Sequence, residues 1–157
     1  MNRWGGVCLL LLAAVGGGQQ EEIDVTLVTH ATLERLWVLP MICERWRGPI
    51  SAAVNVDDEF VQFDLFSDLP EACKHIRGGE QVRGLVRVVP VEWRSGDENY
   101  PVNKLRNVAM MGVTTSHFLM LDVDFWPSSN LYSTICKYAP LVDQKTALVV
   151  PAFSRRG

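Results

Sequence analysis

The order of apolar and polar positions from residue 23 onwards predicts an α/β domain, because short apolar runs alternate with amphipathic stretches. Residues 23–28 are mostly β-branched or apolar, which predicts a first strand with Thr29 and His30 at its carboxyl end. Further strands are predicted at residues 50–54, 82–91, 118–121 and 147–150. The four consecutive apolar residues at 118–121 indicate a strand covered on both faces, as in a parallel sheet.

Helical spacing predicts the elements between these strands. A helix capped by Thr32 ends at Gly48 and has one apolar face, formed by Leu36, Leu39, Cys43 and Trp46. Pro40 lies inside this pattern and removes a backbone donor, so we expect either a kink or two shorter helices. Further helices are predicted around residues 57–65, after Pro101, and from about residue 131.

The first eighteen residues have a different pattern, which is typical of a secretory signal. Arg3 precedes an apolar run at residues 7–15, and three glycines follow at 16–18. We interpret residues 1–18 as a cleaved signal peptide, with a short signal anchor or a buried N-terminal strand or helix as alternatives. Residues 19–22 are then a linker, and residues 23–157 form the domain. The signal predicts a secretory-pathway protein, in the Golgi or secreted, whose only membrane contact is a possible N-terminal anchor.

Composition limits the partners of this domain. The chain has 157 residues, enough for one ordinary domain, and 48% of them are hydrophobic. Fifteen Lys and Arg against eighteen Asp and Glu give a net charge of −3, with no basic run that could follow a phosphate backbone. Nucleic acid is therefore not expected as a partner. Removal of the signal leaves Cys43, Cys73 and Cys136, which allow at most one intramolecular disulfide.

The sequence Asp122-Val123-Asp124 directly follows the apolar run at 118–121 and is the strongest candidate for a functional site. Ligands of open α/β sheets bind outside the carboxyl ends of the strands. Two carboxylates separated by one residue can both reach a hard divalent cation, which prefers oxygen ligands. The triplet therefore predicts a Mn²⁺ or Mg²⁺ site, and the alternative is a solvated turn.

The helix after Pro101 provides a second candidate. Asn103, Arg106 and Asn107 fall on one helical face, opposite an apolar face. A guanidinium flanked by two amides suits a phosphate or carboxylate, although an ordinary polar helix face has the same pattern. The three histidines His30, His75 and His117 have no ligand spacing between them, and each is predicted to be structural.

Two segments together resemble glycosyltransferase family 49, whose members are LARGE-type and related beta-glucuronyltransferases. They are YPVNKLRNVA at residues 100–109 and FLMLDVDF at residues 118–125. DVTLV at residues 24–28 and ICERWRGPIS at residues 42–51 are similar to the opening strand and helix of that family. The resemblance runs from about Asp24 to Phe153, and the joint pattern is more specific than any one motif.

The resemblance implies a GT-A-like nucleotide-diphospho-sugar transferase fold, with a mostly parallel sheet flanked by helices and truncated at the C-terminus. It implies inverting transfer of a sugar, with glucuronic acid as the candidate, from a UDP-sugar to a glycan or glycoprotein acceptor. Asp122 and Asp124 would bind the metal, commonly Mn²⁺, and donor-binding residues would be Thr29, Asn103, Arg106, Asn107 and Asp122. No catalytic base is assigned. The alternative is a catalytically incomplete module that binds a nucleotide-sugar or a partner.

Overall fold

The computed structural model describes residues 10–14, 23–56, 75–77, 80–82, 86–92, 100–143 and 145–151. The strands are β1 (Leu10–Ala14), β2 (Val25–Thr32), β3 (Ile50–Val56), β4 (His75–Arg77), β5 (Glu80–Val82), β6 (Val86–Glu92), β7 (His117–Met120) and β8 (Leu148–Val150). The α-helices are α1 (Val38–Arg45), α2 (Val102–Met110) and α3 (Leu131–Tyr138).

Within the described residues, six strands form one sheet in the order β6-β3-β2-β7-β1-β8, and β4 pairs with β5 separately. β2 is parallel to both β3 and β7, and β3 is parallel to β6. β1 is antiparallel to its two neighbours, β7 and β8. The predicted α/β fold with a mostly parallel sheet and flanking helices is confirmed.

Helices cover both faces of this sheet. The larger apolar cluster contains Leu39 and Ile42 of α1 and Ile135 of α3, packed against β2, β3 and β7. The smaller cluster contains Leu105 and Ala109 of α2 on the opposite face. Removing one leucine or isoleucine side chain from water in this way contributes about 1.5–3 kcal/mol. Two-sided burial explains why the strands contain almost continuous apolar runs.

The segment after β2 forms two short helices, as predicted from Pro40. A 3-10 turn covers Leu33–Arg35, and α1 then begins at Val38. Pro40 is therefore in the first turn of α1, where backbone N–H groups have no partner inside the helix. The proline removes no helical hydrogen bond there, so α1 needs no kink. The predicted apolar face is also confirmed, since Leu39, Cys43 and Trp46 are all buried.

The first strand is longer than its hydrophobic pattern predicts. The pattern ends at Val28, but β2 continues to Thr32 because its backbone pairs with β3 as far as Thr32 opposite Asn55. Ladder hydrogen bonds and the cover from both helix layers extend the strand through polar residues. Thr29 and His30 consequently lie inside β2 and not beyond its end.

Some predictions fall outside the described residues, including the helix at 57–65 and most of residues 1–22. Leu10–Ala14 is described, and it forms β1 between β7 and β8. Cleavage after residue 18 stays a prediction, and it would remove this strand.

Within the described ranges, none of the helices has the length and apolar character needed to cross a bilayer. Cys43 is disulfide-bonded.

Candidate functional site

The Asp122–Asp124 triplet lies at the edge of the sheet that is formed by the carboxyl ends of the strands, next to the ends of β2 and β7. Val28 pairs with Met120 in the parallel register, and Leu121 N–H donates to the Val28 carbonyl at 2.9 Å. Two residues further along each segment, His30 of β2 lies beside Asp122, which follows the end of β7. Adjacent parallel strands thus place a polar group from each at the carboxyl edge, where α/β folds bind ligands.

Asp122 is held by two partners on its Oδ1 atom. Arg106 Nη2 of α2 donates to this oxygen at 2.8 Å, and His30 Nε2 lies 3.3 Å from it. His30 is in turn 3.3 Å from the Tyr100 hydroxyl through Nδ1. Since both contacts to Asp122 are made to Oδ1, neither of them occupies Oδ2.

The surroundings of Asp122 keep its carboxylate ionised. The interaction with His30 and then the bond from Arg106 lower its pKa to about 2, while partial burial acts in the opposite direction. By geometry the Arg106 bond is the firmer of the two, because His30 Nε2 makes no well-aligned hydrogen bond among the described residues. Asp122 therefore carries its negative charge at any physiological pH.

Asp124 is also paired with an arginine, but at the surface. Arg35, the last residue of the 3-10 turn after β2, donates from Nη1 to Asp124 Oδ1. The Asp124 side chain is 67% exposed and that of Arg35 is 53% exposed, against 34% for both Asp122 and Arg106. The two aspartates therefore differ in how far water screens their partners.

These two carboxylates fit the predicted divalent cation by their chemistry. They supply anionic oxygen ligands, which Mn²⁺ and Mg²⁺ prefer, and Asp122 Oδ2 is not engaged by His30 or Arg106. In the described part of the chain, no cluster of three or more His, Cys, Asp or Glu side chains surrounds them. A cation bound here would complete its coordination with water or with the oxygens of a ligand.

Of the predicted donor-binding residues on α2, only Arg106 is bonded to Asp122 within the described structure. Asn103 and Asn107 lie on the exposed side of the helix, as the spacing predicts. Arg106 Nε is buried and has no hydrogen-bond partner among the described residues, so the guanidinium keeps a donor that Asp122 does not use. The donor-binding roles of the two asparagines stay predictions.

Thr29 is buried in β2, with 1% of its surface exposed, and its Oγ1 has no partner in the described structure. Side chains along a strand alternate between the two faces of the sheet. Thr29 has the parity of Leu27 and Ala31, which pack in the α1 and α3 layer. The structure therefore places Thr29 on the other face of β2 from His30, and its role towards a donor stays a prediction.

His30 and Arg35 are the site residues that sequence reasoning missed. His30 is predicted to be structural, and the structure corrects this by placing it beside Asp122. The available signal is its strand parity with Val28, on the face that α2 covers. His117 does have a structural role, since its ring contacts the Val142 carbonyl and the Ser116 hydroxyl. The side chain of His75 lies outside the described residues.

Comparisons with known proteins identify relatives of this chain. The family model described as "Glycosyl-transferase for dystroglycan" matches residues 24–88 and 70–156. The chain is 36% identical over 137 residues to the xylosyl- and glucuronyltransferase LARGE1 of Danio rerio, and 34% identical over 137 residues to that of Homo sapiens. It is 37% identical over 134 residues to LARGE2s of Danio rerio. These matches cover 83–85% of the chain but only 17% of each relative.

Proposed function

The chain belongs to the glycosyltransferase family whose model is described as "Glycosyl-transferase for dystroglycan", and on that basis we propose that it works as part of a metal-dependent, inverting glycosyltransferase. In this proposal its fold is GT-A-like, its donor is a UDP-sugar and its acceptor is a glycan or glycoprotein. The relatives are named xylosyl- and glucuronyltransferases, which supports glucuronic acid or xylose as the sugar.

The observation that carries this proposal is the meeting of two carboxylates and two arginines at one edge of the sheet. Asp122 is bonded to Arg106 and Asp124 to Arg35, although the arginines come from different elements. Carboxylates suit a divalent cation, and arginines suit the oxyanions of a phosphate. A ligand that needs both is a cation-bound diphosphate, such as the leaving group of a UDP-sugar.

The residues divide the work of holding that ligand. Asp122 and Asp124 would hold Mn²⁺ or Mg²⁺, which supplies positive charge to balance the charge that develops on a departing diphosphate. Arg106 and His30 keep Asp122 in a single orientation through Oδ1. Arg106 Nε is buried and has no partner in the described structure, so the guanidinium retains an unused donor beside Asp122.

The test is release of UDP by the full-length protein that contains this chain. In the presence of Mn²⁺ and an acceptor glycan, one UDP-sugar of a panel should release UDP, and Asp124→Ala should lower the rate by at least about a hundredfold. Glu44→Ala is the matched control, because Glu44 is an exposed carboxylate on α1 away from the sheet edge. Full activity of Asp124→Ala would contradict the metal role.

A second function, binding of a nucleotide-sugar or a partner without transfer, is supported by the same observation, because carboxylates and arginines can bind a ligand and no catalytic base is assigned among them. Calorimetry of the 157-residue chain with UDP and Mn²⁺ separates the two proposals. Binding with no turnover, alongside activity of the full-length protein, assigns the donor site to this chain and transfer to the larger protein. Binding with no turnover in either form supports the second function.

We also propose that the protein enters the secretory pathway and works in the Golgi or after secretion. The signal-like residues 1–18 support this, and so does the disulfide at Cys43, since disulfides persist in oxidising compartments. N-terminal sequencing of protein recovered from secreting cells should begin near residue 19. A mature protein that still begins at Met1 and stays in the cytosol would contradict this localisation.

A further inference from the structure

Arg35 and Asp124 form a contact that joins residues 89 positions apart in sequence. Arg35 ends the 3-10 turn after β2, and Asp124 lies in the turn after β7, where Phe125 N–H donates to the Asp122 carbonyl at 3.0 Å. Both elements begin at the same sheet edge. The contact is therefore part of the arrangement around the triplet and not of the apolar core.

Exposure makes this contact easy to exchange. More than half of each side chain is open to water, and ion pairs in such places are weak because solvent screens them and ordering two side chains costs entropy. A divalent cation has twice the charge of a guanidinium and binds carboxylate oxygens directly. It therefore competes with Arg35 for the carboxylate of Asp124. Arg106 faces no such competition at Asp122, whose second oxygen it leaves open.

The charges of the four side chains indicate which group Arg35 would contact after a cation displaced it from Asp124. Asp122 and Asp124 cancel Arg106 and Arg35, so a divalent cation leaves the group with an excess of two positive charges. Each phosphate of a nucleoside diphosphate ester carries one negative charge at neutral pH, which balances this excess. The planar donors of a guanidinium also match phosphate oxygens in geometry.

We infer that Arg35 is an exchangeable partner, which neutralises Asp124 before the cation binds and then moves to an oxyanion of the donor diphosphate. This inference rests on the proposed function and adds a donor-binding residue to it. It differs from the role of Arg106, which stays on Asp122 throughout. Arg35 therefore opposes cation binding in the absence of a nucleotide and favours nucleotide binding once the cation is present.

The first measurement is the affinity of the 157-residue chain for Mn²⁺ alone. The electron paramagnetic resonance signal of free Mn²⁺ at low salt reports this affinity. Arg35→Gln should bind Mn²⁺ up to about fivefold more tightly than the unchanged chain, because a competing ion pair has been removed. Arg35→Lys keeps the charge and should stay near the unchanged affinity. Arg47→Gln is the matched control, since Arg47 is exposed and precedes β3 at the opposite edge of the sheet.

The second measurement is the affinity for UDP at saturating Mn²⁺, by calorimetry. Arg35→Gln should bind UDP about tenfold more weakly, because a charge-assisted hydrogen bond to phosphate is lost. The affinity of Arg35→Lys for UDP should lie between that of Arg35→Gln and that of the unchanged chain, since an ammonium keeps the charge without the planar fork of a guanidinium. Arg47→Gln should match the unchanged chain in both measurements.

Opposite changes in the two affinities for Arg35→Gln support the exchange, because damage to the fold would weaken both. Two unchanged affinities, or a fall in both while thermal unfolding is unchanged, would overturn it. If the unchanged chain binds Mn²⁺ and UDP but Arg35→Gln behaves like Arg47→Gln, the inference fails and the proposed function stands. If the unchanged chain binds neither ligand, the donor site and the inference fail together.

Discussion

Asp122 and Asp124 are separated by one residue, but the protein holds their side chains in different ways. Asp122 is two-thirds buried and accepts contacts from Arg106 and His30, and its pKa is about 2. Asp124 is two-thirds exposed and is paired with Arg35 at the surface. The first carboxylate is fixed by its surroundings, whereas the second can exchange its partner. In the proposed donor site, which would hold a cation and release a product, one carboxylate of each kind would serve both needs.

A substitution far from both aspartates should cause the largest loss in the free energy of unfolding, against which the effects at the two aspartates can be compared. Gly48 lies against the Tyr132 ring, and a methyl group there would overlap it. Tyr132 cannot move easily, because its hydroxyl donates to Asp24 at 2.6 Å and its ring packs edge-on against Trp46. Gly48→Ala should lower the free energy of unfolding by about 3 kcal/mol in urea denaturation. Affinity for Mn²⁺ should not change, and a fall in that affinity would show that the two sheet edges are coupled.

The next largest effect on stability is expected from removal of the hydrogen bond between Arg106 and Asp122. Arg106→Ala leaves the two-thirds-buried Asp122 with only its long contact to His30 among the described residues, and should lower the free energy of unfolding by about 2 kcal/mol after allowance for solvent. Lys104→Ala is the control on the same helix, since Lys104 is exposed. Equal stability of the two variants would mean that Asp122 is no more firmly held than a surface residue.

A smaller effect should appear in the pH dependence of stability. The pKa of Asp122 falls from 3.8 to about 2 on folding, so its ionised form stabilises the folded state above about pH 4 and loses this role as the pH falls towards 2. The advantage of the unchanged chain over Asp122→Asn should be about 1 kcal/mol at pH 6 and disappear near pH 2, after allowance for partial exposure. Urea denaturation across this range measures it. A constant difference would contradict the ionised role.

The smallest effect on stability is expected at the exchangeable carboxylate. Arg35→Ala should change the free energy of unfolding by no more than about 0.5 kcal/mol, because both partners are screened by water. Urea denaturation beside Arg106→Ala makes the comparison direct. A loss as large as that of Arg106→Ala would show that Asp124 is also firmly held, and the distinction between the two carboxylates would disappear.

The local parts of this arrangement can be predicted from the sequence. The apolar run before Asp122 identifies the covered strand, and helical spacing places Arg106 on the polar face of α2. Each of these features depends on residues within a few positions of one another, where strand and helix periodicity applies. Even Pro40 has a local signature, although the pattern alone leaves open whether it kinks one helix or separates two.

The partners of the two aspartates could not be predicted in the same way. His30 reaches Asp122 because β2 and β7 are parallel neighbours in one register, and the 84 residues between Thr32 and His117 contain no signal of that pairing. The polar residues that extend β2 to Thr32 also depend on the ladder with β3. Pairings between distant strands are chosen by the packing of the whole sheet, which single-strand patterns do not encode.

The sequence by itself determined the α/β class, the family resemblance and the position of Asp122 and Asp124 at the end of a covered strand, because these follow from local periodicity and from short patterns of residues. Only the tertiary structure decided that Arg106 and His30 fix one aspartate while Arg35 pairs with the other at the surface. The reason is physical: the strength of a charge pair depends on burial and on partners that distant segments supply.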